Sequence, residues 1–285
     1  MIRYAARADK SIAVVFRVMV IPFAMILVSS IFSNASGEGK APGRIDLTGL
    51  YENIGAKQVK KNVLPYSPQY PLWSDGAQKR RWFYLPPGKQ IDAGNPDLWV
   101  FPSGTKIWKE FSFNGHRTET RMIEVLRDGN IRFSTYQWNE REDQAILAPE
   151  SGGRGVVEIQ AGIRHDIPGV RDCRACHVGE KADILGFSAL QLSTVRDPEA
   201  PYAEPLEAND VTLESLIANR KIRQFPVEWI KYPPRIEART SSAKSALGYL
   251  HANCGNCHNH NNNLGSANML LRHGVAPEDN AEARF

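Results

Sequence analysis

Thr105-Lys106-Ile107-Trp108-Lys109-Glu110-Phe111-Ser112-Phe113-Asn114-Gly115 decides the fold class. Aromatic and β-branched residues dominate the run, and Asn-Gly closes it with the dipeptide a tight hairpin favours. Outward from it the pattern repeats. Residues 118–127 close at Asp128-Gly129, and 130–138 follow. Upstream, 79–85 close at Pro86-Pro87-Gly88 and 98–101 at Pro102-Ser103-Gly104. Regular strand and turn spacing predicts an α+β chain whose domain 44–205 is β-rich and sandwich-like. Trp73, Trp82, Trp99, Trp108 and Trp138 read as its core, with a docking surface as the alternative reading. Alternation places Ile107, Lys109, Phe111 and Phe113 on one strand face. Lys109 there either snorkels to the sheet edge or approaches a cofactor. Glu140, Glu142 and the cluster Lys79-Arg80-Arg81 read as solvated faces.

The chain holds four cysteines, and all of them fall in Cys173-Arg174-Ala175-Cys176-His177 and Cys254-Gly255-Asn256-Cys257-His258. CxxCH is the pattern of c-type haem attachment. Two thiols about one helical turn apart add to the two vinyl groups on one edge of a porphyrin, and the next residue gives the iron its proximal imidazole. The expected cofactor is therefore two haem c groups, bound at Cys173, Cys176, Cys254 and Cys257, with His177 and His258 on iron. A zinc ribbon wants its CxxC pairs about 15–20 residues apart, far closer than these. A thioredoxin-type pair wants a βαβ context, and disulfide loops leave both histidines unexplained.

Basic residues as far as Arg17 precede an apolar run that ends in Ser33-Asn34-Ala35. This layout predicts a signal peptide over 1–35, with an uncleaved anchor as the alternative. A linker at 36–43 follows, and the mature chain is expected to be exported, periplasmic and without a membrane span. Hydrophobic content of 42% and charged content of 23% are those of a globular protein. Most of the formal net charge of +4 comes from Arg3, Arg7, Lys10 and Arg17 in the leader, so a nucleic-acid partner has no electrostatic support.

Character changes after residue 205. Asp210 is placed to N-cap a helix over 211–222, and Pro226, Pro233 and Pro234 then break the chain. Ser241 or Ser242 starts another helix, with Ala243, Ala246, Leu247, Leu250 and Cys254 at helical spacing on one face. A helix running into CxxCH makes 206–285 read as a small cytochrome c-like region. The chain ends at Phe285, soon after His258, so the expectation is either an abbreviated region or a truncated one whose own distal ligand is missing.

Pro71-Leu72-Trp73-Ser74-Asp75-Gly76-Ala77, Trp99-Val100-Phe101-Pro102-Ser103-Gly104-Thr105, Thr118-Glu119-Thr120-Arg121, Tyr136-Gln137-Trp138, Leu185-Gly186-Phe187 and Tyr249-Leu250 with Asn253 occur in this order around the two motifs. Over roughly residues 45–272 the chain resembles a family of bacterial exported dihaem c-type cytochromes with a β-rich N-terminal part. The resemblance implies haem c binding, electron transfer and a redox partner protein, with His177 and His258 as proximal ligands. It names no substrate.

The sixth ligands stay open. His116, His165, Met122 and His251 are candidates for the first haem, and Met269, His251, His260 and His273 for the second. Met269 reads first as core, and His260 as part of a solvated Asn-rich loop. Electron transfer needs no catalytic residue. The alternative is a haem enzyme with an open iron site at the first haem, acting on a small nitrogen or peroxide substrate.

Overall fold

Residues 39–177, 184–259 and 269–275 are described in this computed structural model. The leader 1–35 and His260 lie outside the described residues. β1 (Tyr51–Asn53) pairs with β2 (Gln58–Val59), and β3 (Leu64–Pro65) precedes β4 (Gln78–Tyr84) and the short β5 (Ile91–Asp92). β6 (Lys106–Phe113), β7 (His116–Val125) and β8 (Ile131–Trp138) follow, then β9 (Ala145–Leu147). Hydrogen bonding orders β3-β4-β6-β7-β8-β9 into one antiparallel six-stranded sheet. At the β6–β7 turn Asn114 (φ 51°) and Gly115 (φ 81°) are both left-handed, the geometry that lets two residues reverse a twisted ribbon.

β10 (Gly153–Gln160) and β11 (Ile163–Ile167) form a separate hairpin that leads into α1 (Val170–His177). Then come α2 (Leu213–Ala218), β12 (Ile222–Arg223), α3 (Glu228–Lys231) and α4 (Ser241–Asn253). β12 pairs in parallel with β5. The chain is thus β-rich with a small helical part. Each face of the main sheet is covered by other chain segments rather than by a second sheet of equal size. Trp82, Trp108, Met122, Tyr136 and Trp138 point to one face and pack on Ile45, Leu50 and Tyr51. Phe83, Ile107 and Val125 point to the other, against Ile184, Phe187, Val211, Leu213, Leu216 and Ile222. Residues from both sides of position 205 therefore share one core. Phe187 is its plug, with ring centroids of Tyr66, Phe83, Phe101 and Trp99 at 4.7, 4.9, 5.5 and 5.7 Å.

Several expectations are corrected. Residues 98–101 are not a strand: only Val100 bridges to Asp92, because Pro96 and Pro102 flank the segment and supply no N–H. Asp210 does not cap α2. Thr212 does, in a reciprocal box with Ser215, while the Asp210 carboxylate accepts from the Glu207 N–H. In α4 the apolar stripe read from the sequence is not the buried face: Ala243 and Ala246 are exposed, and Ser245, Gly248 and Ala252 are buried. A large neighbouring ring, Tyr70, selects small residues there. Lys79 and Arg81 are not solvated but 6% and 5% exposed. Of the tryptophans, Trp73 is 45% exposed and the other four named above are core.

Candidate functional site

The first CxxCH occupies the last turns of α1. Helical geometry puts Cys173 and Cys176 three residues apart on one face. The helix is entered through Gly169, whose added Cβ would stand 2.7 Å from the Glu150 carbonyl oxygen. The Val170 N–H donates to Glu150 O at 2.8 Å, and the Asp172 carboxylate accepts from the Gly169 N–H at 2.9 Å. α1 buries none of its side chains. Its main lateral contact is with β8, where the His177 ring lies 5.3 Å from Phe133.

The second motif is seated differently. α4 is capped by Thr240, whose hydroxyl accepts from the Ala243 N–H. Gly248 lies against the Tyr70 ring so closely that a Cβ would fall 2.0 Å from its Cε1. Asp197 ties the same place, accepting from the Ser245 hydroxyl at 2.9 Å and the Tyr70 hydroxyl at 3.3 Å. At the end of α4, Asn253 Oδ1 accepts from the Trp73 N–H at 2.7 Å, and its amide donates to Tyr249 O at 2.9 Å. Cys254 is the helix C-cap, and His258 N–H donates back to Cys254 O at 2.8 Å. Among the described residues His258 Nδ1 is buried with no hydrogen-bond partner.

Cys173, Cys176, His177 and Cys257 all line one cavity of about 210 Å3, walled by Ile107, Lys109, Arg121, Ile123 and Phe133 of the sheet and by Tyr66 and Tyr70. Cys254 and His258 are not part of its lining. Cys176 and Cys257 are neighbours in that lining, and partial desolvation there, then the Cys257 thiol, push the Cys176 thiol up. Burial raises Cys173 as well. All four thiols are free. Among the described residues no group of three His, Cys, Asp or Glu side chains is gathered as a metal ion would require.

The other candidate ligands are placed plainly. The His116 side chain is 80% exposed and pairs with Glu142 at 3.3 Å. His165 is buried and uses both ring nitrogens, Nδ1 with Asp75 and Nε2 with Glu119, each at 3.0 Å. Burial lowers its pKa, but these two carboxylates outweigh burial and raise it. The Met122 side chain belongs to the cluster on the far face of the sheet. Met269, read first as core, is 53% exposed. His251 lines the cavity, and its Nδ1 accepts from the His273 N–H at 3.1 Å. The neutral ring therefore carries its proton on Nε2 and is a donor, not an iron ligand, in this arrangement. Burial, then His273, push His251 down to about 4.

Two features were not read from the sequence. A second, more polar cavity of about 540 Å3 flanks α1 and is lined by Asp75, Arg121, Glu150, Arg154, His165 and Asp172 among others. A row of basic side chains also crosses the sheet on the cavity side; period-2 alternation in β4 and β6 signals its members but not their juxtaposition. No helix among the described residues is long and apolar enough to cross a membrane. No family model, curated protein or solved structure matches the chain.

Proposed function

We propose that this is an exported dihaem c-type cytochrome of the kind the sequence resembles, passing single electrons to and from a redox partner protein. One haem is attached at Cys173 and Cys176 with His177 on iron, the other at Cys254 and Cys257 with His258 on iron. The observation that carries this reading is the nearness of the motifs: the first motif's two cysteines and histidine, and Cys257 of the second, line one cavity, with Cys176 and Cys257 as neighbours in that lining. Their nearness supports the reading, because electron exchange between two haems needs attachment points that are close in space. The donor set fits, because each motif supplies two thiols and one imidazole.

Each haem, when bound, supplies a reversible one-electron iron couple. The protein's share is to hold the attachment edges near each other and to exclude water with Ile107, Ile123 and Phe133. The cavity is smaller than the roughly 300–1,000 Å3 of small-molecule sites. α1, which buries no side chain, would hold the first haem by Cys173, Cys176 and His177.

Haem quantitation and mass of the denatured holoprotein test the reading. The expected values are two covalent haems per chain, one in the double variant Cys173→Ala/Cys176→Ala, and one in Cys254→Ala/Cys257→Ala. A chain matured alongside haem-attachment machinery that carries none overturns it. The enzyme reading, an open position on the iron of His177, is favoured by one observation: His165 has both nitrogens engaged and His251 presents a proton rather than a lone pair. Rapid carbon monoxide binding to one reduced haem distinguishes it from a pure carrier.

A further inference from the structure

The cavity face of the sheet carries more positive charge than the fold itself neutralises. Register pairs Arg81 with Lys109 and Lys109 with Arg121, so these three stand side by side on adjacent strands. Lys79 lies two residues from Arg81 on the same face. Like charges directly opposite one another repel, and burial removes the water that would screen them. The carboxylates supplied are few: Glu204 is 3.2 Å from Arg81, and Glu119 is 2.5 Å from Arg121. Glu119 is also shared with His165 at 3.0 Å. Lys79 donates to the Leu72 carbonyl at 3.0 Å.

Lys109 is left over. β6 is an interior strand, so its side chain does not reach a sheet edge. It lines the cavity, with its amine 4.8 Å from the centre of the Phe111 ring. Among the described residues that amine has no hydrogen bond or ion pair, and Glu204, already paired with Arg81, pulls only weakly on it. Burial, then Arg81, Arg121 and Lys79, push it well below the usual lysine range. A carboxylate arriving in the cavity reverses that penalty. The adjoining cross-strand row is Ile107, Ile123 and Phe133, with the His177 ring against Phe133. An apolar strip beside a cationic row suits a flat apolar body that bears carboxylates better than it suits a small inorganic anion.

We propose that Lys109, flanked by Arg81 and Arg121, is the anion seat of this cavity and receives a propionate carboxylate of the haem attached at Cys173 and Cys176. The inference rests on the haem reading above. Lys109 acts as a positioning residue and as a fixed charge beside the ring.

The test is an optically monitored redox titration of the holoprotein, wild type against Lys109→Met, Lys109→Gln and Lys109→Arg, with haem counted in each sample. A cation beside the ring favours the less positive, reduced iron. Lys109→Met and Lys109→Gln should therefore lower one of the two midpoint potentials, Lys109→Arg should restore it, and the spin state should not change. Loss of the first haem in Met and Gln but not in Arg supports the seat equally. Unchanged potentials in Met and Gln overturn it, as does an equal fall or loss in Arg, which marks packing. Conversion of one haem to high spin in all three variants also overturns it, since it makes Lys109 an iron ligand. A wild-type chain without covalent haem is a failure of the underlying haem reading, recognised by empty samples throughout.

Discussion

The helix that ends in His177 buries no side chain, whereas the helix that runs into Cys254 buries Ser245, Gly248 and Ala252. The same five-residue pattern thus rests on two foundations. The first is held by backbone hydrogen bonds at its entry and, towards its exit, by contacts that include His177 and Arg174 against Phe133. The second is keyed into the β module through Tyr70, Asp197 and the Trp73 backbone. The contrast teaches that the same motif can stand on a helix that buries nothing, as at Cys173–His177, or follow one whose buried face is keyed into the β module, as at Cys254–His258.

The largest break in this contrast comes from adding one methyl group. Gly248→Ala drives a Cβ into the Tyr70 ring and should destabilise the protein by about 3 kcal/mol, the upper part of the overpacking range. Ala175→Lys, on the exposed face of α1, should stay within about 0.5 kcal/mol of wild type. Urea midpoints at constant m-value measure both. If the two substitutions cost the same, the seating of α4 is not what the packing implies.

A smaller difference is expected from the polar ties. Asn253→Ala leaves the Trp73 N–H without its acceptor and should cost about 1–2 kcal/mol. Asp172→Ala removes a single acceptor, that of the part-buried Gly169 N–H, whereas Asn253 makes several bonds, and should cost about 0.5–1 kcal/mol. Proteolysis should then cut near residue 253 in the first variant before it cuts near 172 in the second.

The two regions should also show a pH dependence of opposite sign. His251, in the last turn of α4, has a folded pKa depressed to about 4. Its stabilisation is complete above the unfolded histidine pKa of about 6.5 and is lost as pH falls towards 4. His165, beside α1, has its pKa raised by Glu119 and Asp75 against the pull of burial. Its stabilisation is complete below about pH 6.5 and is lost as pH rises through the folded value. Stability from these two groups should therefore peak near pH 6.5, an order-of-magnitude placement set by the free histidine pKa. His251→Asn should flatten the acid limb and His165→Asn the alkaline limb, read from thermal midpoints across pH.

Much of the β architecture was legible because its signals are local. Asn114-Gly115 and Asp128-Gly129 mark real turns, and alternation in 105–113 put Lys109 with Ile107, Phe111 and Phe113 on the face they occupy. The buried face of α4 was not legible. A periodicity count favours alanine and leucine, but contact with Tyr70 and Asp197 selects glycine and serine. Nor was the burial of Lys79 and Arg81, since a basic triplet reads as solvated until register sets Lys109 and Arg121 beside it. His165 was weighed as a ligand because spacing along the chain does not reveal that Asp75 and Glu119 already hold it.

By itself the sequence determined the motifs and the strands: two CxxCH groups that take every cysteine, and alternating runs ended by residues that accept a positive φ. Those properties depend on neighbours within a few positions. The tertiary structure alone decided that Cys176 and Cys257 are neighbours in one cavity lining and that three cations line up across β4, β6 and β7. It also decided which motif rests on the surface and which in the core. Such facts depend on strand register and on how closely backbones approach, which only long-range packing sets.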